Sequence, residues 1–358
     1  MFYWGLWWLV ALFSIILSRK MIKSNSTYGA LYFFIFLLAI IIGGREYVGT
    51  DWESYKQFYE FGYDSTGREN MDFLFQGLRN LFTKIGFSYG FFSFIVSLFS
   101  LTALCKSFKI AEVNNCWLAF LVYLSMFLCN YQFNVIRHGA MASFVLLSFM
   151  YKAKDCTLKS LISLLLAVGF HKIGIIFLLL FPIINRSFNS KLILWIFVFA
   201  ILVFISGLGG TGLSIFTYLA INMGFEGYLD IAHWGPASSG ISIGQLGKIL
   251  IFFYSFIFRR KLYESSSIFR VSVNLLFISI ISNLLFNDFA VFTERVVNAM
   301  SMSLVIILPY LLKISSGSSK VLFYMVVLAY LFLYYPMVWN RDEANMLPFV
   351  FNLRSLFV

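Results

Sequence analysis

Apolar residues along this chain run in long uninterrupted stretches, and polar residues gather in the gaps between them. The stretches fall near residues 2–18, 28–44, 87–105, 116–133, 135–151, 158–171, 173–184, 192–207, 241–258, 271–286, 296–312 and 321–338. An apolar helix of about 20 residues spans a bilayer. Strands of a membrane barrel alternate apolar and polar positions, and the runs here are continuous. Only helices and closed barrels satisfy their backbone in lipid. The pattern therefore predicts an all-α integral membrane protein, a polytopic bundle of about 12 transmembrane helices within one domain over residues 1–358. The first stretch starts at Phe2 with no basic residues before it, so it reads as a span and not as a cleaved signal. No internal repeat is evident.

Two gaps are long, 45–86 and 208–240. The first holds seven acids and five bases, and two amphipathic stretches. One spaces Trp52, Tyr55 and Tyr59 as a helix would, the other Leu74, Leu78, Leu81 and Ile85. Both read as helices that lie on the membrane or cap the bundle. The second gap has no Lys or Arg, is rich in glycine, and carries Glu226, Asp230, His233 and Trp234. Its length suits a mobile lid.

Composition agrees with the pattern: 60% of residues are hydrophobic, 12% are charged, and mean hydropathy is +0.84. The net charge of +11 invites a nucleic-acid reading, but the placement of the charge argues otherwise. One set of alternating gaps holds Arg19, Lys20, Lys23, Lys106, Lys109, Lys152, Lys154, Lys159, Arg186, Lys191, Arg259, Arg260, Lys261, Arg270, Lys313 and Lys320. Against these sixteen stand only Glu112, Asp155 and Glu264. Cytoplasmic loops of membrane proteins carry such an excess, so both termini and both long loops are expected outside. The rule also decides an ambiguity. Residues 158–184 read as one tilted helix or as two helices meeting at His171, and one helix would put Arg259, Arg260 and Lys261 outside. Two helices are expected. Cys105, Cys116, Cys129 and Cys156 show no metal-like spacing and read as core fillers.

Charges at membrane depth are costly and mark functional sites. The outer half concentrates them: Arg45, Glu46, Asp51, Glu53, Arg137, His138, His171, Lys172, Glu294 and Arg295. Arg137 stands between two spans and needs a partner. A carboxylate such as Glu294 would serve structurally. Alternatively Arg45, Arg137 and Arg295 converge on a phosphate or pyrophosphate, which guanidinium forks bind through two oxygens. His171 reads as a hydrogen-bonded structural residue or as a general acid/base near neutral pH. Asp51-Trp52-Glu53 offers two acids for a divalent cation, although a solvated loop face is the plainer reading. Asp51 alone is the better candidate, as a base or a hydroxyl-binding carboxylate. Three histidines without close spacing give no zinc motif. No nucleotide-binding, hydrolase or HExxH pattern occurs, so no metal and no cofactor is expected.

These residues fall into a recognisable order. Gly49-Thr50-Asp51 with Tyr55 and Phe58, then Glu69 with Phe73, then Phe133-Asn134-Val135-Ile136-Arg137 with Gly139-Ala140, then Phe170-His171-Lys172 resemble the EpsG/Wzy-type bacterial polysaccharide polymerase family. The resemblance covers about residues 40–180; beyond that only Glu294-Arg295 suggests a later arginine motif. Two positions depart from it. His138 stands where a glutamine is common, and Met71-Asp72 replaces the small residues often found after the glutamate. The resemblance implies a membrane-embedded fold of the glycosyltransferase C type in a bacterial inner membrane. It implies transfer of a growing glycan from undecaprenyl pyrophosphate to a sugar hydroxyl of the next lipid-linked oligosaccharide. The partners implied are donor and acceptor lipids, the bilayer and a chain-length regulator, with no nucleic acid. Asp51 or His171 would then be catalytic, and Arg45, Tyr55, Glu69, Asn134, Arg137, Glu294 and Arg295 would bind pyrophosphate or glycan.

Rival readings are an O-antigen ligase, a flippase of the lipid-linked unit and a membrane-bound sugar acetyltransferase. A ligase usually carries basic and histidine residues in a large late outer loop, which here has no Lys or Arg. A flippase would show pseudo-repeats and charges at the midplane from both sides. An acetyltransferase donor must be reached from the cytoplasm.

Overall fold

The computed structural model describes residues 2–20, 25–63, 71–208, 242–258, 260, 262–287, 293–339 and 346–357. Among these, six helices are long and apolar enough to cross a membrane: Ser26–Gly43, Tyr89–Ile110, Cys116–Asn134, Ser267–Leu285, Arg295–Ile314 and Gly317–Val338. Four more are apolar but shorter: Phe2–Leu17, Thr157–Phe170, Ser190–Ser206 and Ile243–Ile257. The protein is an all-α, multi-pass membrane protein. Six long helices, and not twelve, meet the spanning criteria. Much of the apolar surface is unburied, with Trp195 71%, Ile205 74% and Leu179 74% exposed, as expected of side chains whose solvent is lipid.

Contacts gather in two compact units, residues 1–181 with 304–358, and residues 182–303. In the first unit, α1 (Phe2–Lys20) and α2 (Asn25–Gly43) precede a turn through β1 (Arg45–Glu46). Two helices of the long loop follow, α3 (Trp52–Phe61) and α4 (Phe73–Ile85). Then come α5 (Tyr89–Ile110), α6 (Cys116–Tyr123), α7 (Ile136–Ala153) and α8 (Thr157–Phe170). Polar residues in the gaps start the helices: Ser88 accepts from the Phe91 N–H at 3.1 Å, and Asn115 from the Leu118 N–H at 2.9 Å. These caps occupy backbone donors that no helical carbonyl reaches.

The two ends of this unit differ in chemistry. At one end Tyr28 donates to the carbonyls of Phe108 and Val113, Tyr310 to that of Ala111, and Lys154 to Glu112. Lys106, Lys109, Lys152, Lys154, Lys159, Lys313 and Lys320 belong to the helix ends and turns there. The other end holds Arg45, Asp51, Arg137 and His171. The charge asymmetry of the sequence is thus an asymmetry of the fold.

The expected reversal at His171 is present. Thr157–Phe170 ends there, His171 is extended, and a 3₁₀ helix runs back over Lys172–Leu180. A Cβ on Gly174 would lie 3.1 Å from the Val168 nitrogen, so the two strokes touch. Phe144 stacks on Phe170, while Phe149 meets Phe177 and Phe181. The second stroke therefore runs back along α7.

Two features of this unit have no counterpart in the sequence reading. A π-helix continues α6 over Leu124–Asn134. The C-terminal tail also returns: β2 (Val350–Phe351) pairs antiparallel with β1, Arg45 opposite Phe351. Glu46 accepts from Asn352 Nδ2 at 2.9 Å and from the Ser355 hydroxyl.

In the second unit, α9 (Ser190–Ser206), α10 (Ile243–Ile257) and α11 (Ser267–Leu285) pack together, followed by a π-turn over Thr293–Val297 and α12 (Asn298–Ser301). Arg270 donates to Asn185, and the Tyr263 hydroxyl accepts from the Phe188 N–H at 3.0 Å. These bonds gather the turns that carry Arg186, Lys191, Arg260 and Arg270 at one end.

Candidate functional site

The site is built where α2, α3, α4, α7 and α8 of the first unit meet. Arg45 follows the Gly43-Gly44 stop of α2 and is 1% exposed. Its Nε donates to the Val48 carbonyl at 3.1 Å. Nη1 donates to Ile42 at 2.7 Å and to Ser93 Oγ at 3.1 Å, and Nη2 to Phe133 at 3.4 Å. Burial lowers its pKa, and the four acceptors offset that cost. Arg45 therefore fastens the turn to α5 and to the end of the π-helix, and its fork is spent on the protein.

That turn needs glycine. Gly49 has φ +104°, and a Cβ there would fall on the Phe133 carbonyl. The close approach lets the Thr50 N–H donate to Asn134 Oδ1 at 3.0 Å. Asn134 is buried and works as a strut between the turn and the start of α7. Gly139, one turn into α7, leaves room in the same way for the Tyr131 carbonyl. The glycine and asparagine positions of the motif are thus explained by packing.

Arg137 lies in the first turn of α7. Among the described residues its carboxylate partner is Asp72: Nη1 donates to Asp72 Oδ2 at 2.6 Å, with the side chains 13% and 5% exposed. Its guanidinium carbon lies 5.7 Å from the ring centroids of both Tyr55 and Phe75, close enough for cation–π attraction. Tyr55 and Asp51 also act on the guanidinium electrostatically. Its Nε is buried and makes no hydrogen bond. The other Asp72 oxygen accepts from the Lys172 N–H at 2.8 Å. One carboxylate, at the start of α4, therefore ties the arginine of α7 to the His171-Lys172 reversal.

His171 is 7% exposed, and its Nδ1 accepts from the Ile173 N–H at 3.3 Å. That bond fixes the ring orientation and leaves the proton of the neutral form on Nε2. The His138 ring lies 5.7 Å away, edge-on. Asp51 precedes α3, half-buried, and accepts from the Thr50 hydroxyl at 3.2 Å. Glu53 points to solvent and accepts from Gln57 at 3.4 Å. Among the described residues, no three His, Cys, Asp or Glu side chains are grouped to hold a metal.

The structure thus brings together Asp51, Tyr55, Arg137 and His171, with Asp72 and Phe75 added. It uses Arg45 and Asn134 to shape the turn beside them. Arg295 belongs to the second unit, in the π-turn of Thr293–Val297. Glu69, the Glu294 side chain and the lid expected over 208–240 with its acids, save Leu208, lie outside the described residues. Asp72 is the residue that sequence reasoning missed; an acid directly before the apolar run of α4 was its signal.

No curated protein and no solved structure matches the chain. The family model described as the EpsG family matches residues 29–351, which takes in every residue of the site. The chain belongs to the EpsG family, the family of Wzy-type polysaccharide polymerases.

Proposed function

We propose that the protein joins lipid-linked oligosaccharide repeat units into a surface polysaccharide, at the extracytoplasmic face of a bacterial inner membrane. The donor is a glycan on undecaprenyl pyrophosphate, and the acceptor is a sugar hydroxyl of the next unit. The observation that carries this reading is Arg137, held between Tyr55 and Phe75 beside Asp51, Asp72 and His171. The cluster stands at the end of the first unit opposite Lys106, Lys109, Lys152, Lys154, Lys159, Lys313 and Lys320, which is the outer end by the positive-inside rule. The reading includes about a dozen crossings, short apolar helices counted with long ones, in an architecture of the glycosyltransferase C type.

In the transfer, the acceptor oxygen bonds to the anomeric carbon of the donor sugar, and the bond from that carbon to the pyrophosphate oxygen breaks. The hydroxyl proton passes to a base, and the pyrophosphate leaves on its lipid. Asp51 suits the base better than His171, whose Nδ1 already accepts from a backbone N–H. The Nε2–H of His171 is a donor suited to a substrate oxygen. Arg137 balances charge that develops on the leaving pyrophosphate, and a cation fixed in advance does this without reorganising at the moment of reaction.

The test is Arg137→Lys in cells that lack the native gene, read as the ladder of surface glycan lengths with protein abundance measured in parallel. Lysine keeps the ion pair with Asp72 but loses the fork. The expected result is single repeat units on the surface at normal abundance. A normal ladder would remove Arg137 from the site. Complete absence of surface glycan would point to a flippase or a ligase.

A further inference from the structure

The second unit buries a charge that the reading above does not use. Lys248, on α10, is 8% exposed. Its ammonium carries three donors, and the bond it makes is a long one, 3.4 Å to Asn298 Oδ1. Among the described residues no carboxylate pairs with it. A buried ammonium without a counter-charge is expensive in any protein and more so at membrane depth.

Polar groups share its surroundings with Ile249, Ile280 and Leu284, and most of the polar ones are satisfied by one another. Gln245, Ser279, Asn283 and Val297 line a narrow cavity together with Lys248. Gln245 Nε2 donates to Asn283, and its Oε1 accepts from the Ser242 N–H at 2.9 Å as half of a capping box. The Ser279 hydroxyl bonds to the Val297 carbonyl and to Ser301. Among the described residues the ammonium remains as the group with donors unspent, beside the side-chain amides of Asn283 and Asn298.

Position narrows the ligand. Lys248 lies roughly 8 Å along the helix from Ile243 and roughly 14 Å from Ile257, at 1.5 Å per residue. Ile257 leads into the turn of Arg260, at the end of this unit where Arg186, Lys191 and Arg270 gather. The cavity is therefore nearer the opposite end, which the charge rule places outside. Anions carried at that depth of a membrane are phosphates on lipids.

We propose that Lys248 is an anion-binding residue that takes one oxygen of a lipid-borne phosphate group. The cavity admits an oxygen and not the whole group, so the phosphorus stays at its mouth. A lysine suits this better than an arginine because it is a compact point charge. The phosphate is that of the carrier pyrophosphate, which rests on the function proposed above, or that of a phospholipid headgroup.

The test uses the full-length protein, purified in detergent or placed in nanodiscs, and reads binding and thermal unfolding without any activity. Inorganic pyrophosphate is one probe, and phosphatidylglycerol against phosphatidylcholine nanodiscs is the other. The expected result is that wild type is stabilised by at least one probe. Lys248→Met should bind that probe more weakly by about tenfold or more, the worth of one ionic donor. Lys248→Arg should retain part of the effect. Stabilisation by pyrophosphate names the carrier as source, and stabilisation by phosphatidylglycerol alone names the headgroup. Equal responses of wild type and Lys248→Met overturn the proposal. So does a Lys248→Met protein that is less stable without probe, because lysine would then be neutralising a carboxylate. The glycan ladder is scored separately, so loss of the polymerase reading leaves this result interpretable.

Discussion

Arg45 and Arg137 lie on neighbouring turns at the same end of the first unit, and both are largely withdrawn from solvent. Their surroundings differ in kind. Arg45 meets acceptors of the protein's own backbone and Ser93, with three nitrogens engaged. Arg137 meets one oxygen of a carboxylate, two aromatic rings and a buried Nε without a partner. A guanidinium whose donors match its surroundings is finished as a structural part. One with an unspent donor, held beside acids and a histidine, is set up for a further partner. Equal burial of the same residue type therefore says little about its role; the census of donors separates the two.

The largest effect should come from Arg45→Ala. It leaves the buried carbonyls of Ile42, Val48 and Phe133 without this donor, and each buried unsatisfied group costs about 1–3 kcal/mol. The sum is on the order of the whole stability of many domains, so little monodisperse protein should survive size-exclusion chromatography. Arg45→Lys should fare almost as badly, because one ammonium cannot reach the acceptors spread around a planar fork. A well-folded Arg45→Ala protein would erase the contrast with Arg137.

A smaller effect is expected at Asp72. Asp72→Asn keeps an oxygen for the Lys172 N–H but removes the charge facing Arg137. Leaving a largely buried charge without its partner costs about 3 kcal/mol. The melting temperature should fall by several degrees and the glycan ladder should shorten. Asp72→Asn combined with Arg137→Met should be more stable than Asp72→Asn alone, since no charge is then left over. A double variant that loses the sum of both single losses would show that the two residues do not act as a pair.

What the sequence disclosed follows from the range of each signal. The stripe of Trp52, Tyr55 and Tyr59 is local, and α3 buries all three, with Phe58 added. The stripe of Leu74, Leu78, Leu81 and Ile85 correctly gave α4, but the buried residue there is Phe75, while Leu81 and Ile85 stay exposed. A residue pattern marks a helix face and does not say what covers it. The π-helix over Leu124–Asn134 was hidden because an apolar segment buried on nearly every side keeps no trace of its period. The return of the tail onto Arg45-Glu46 joins residues about 300 positions apart in sequence, and no local pattern encodes such a pairing. Asp72 was missed for a similar reason. Its partners stand 65 and 100 positions away, whereas Glu294 was suggested only by an adjacent arginine.

The smallest effect separates the two acids of Asp51-Trp52-Glu53, one on each side of the buried Trp52. Asp51 is half-buried and acts electrostatically on Arg137, while Glu53 is exposed on α3. Glu53 accepts from Gln57, one helical turn on, at 3.4 Å, and a surface contact of this kind is worth about 0.2–0.5 kcal/mol. Glu53→Ala should therefore leave the melting temperature and the glycan ladder unchanged. A divalent cation shared by Asp51 and Glu53 would demand the opposite, because it would need both carboxylates turned inward. Purified protein polymerising lipid-linked units in the presence of EDTA provides the second half of the test. Undiminished polymerisation leaves Arg137 as the cation that faces the leaving group. Loss with EDTA, and recovery with Mg²⁺ or Mn²⁺, would mean that a metal shares that role and that α3 turns on substrate binding to bring Glu53 in.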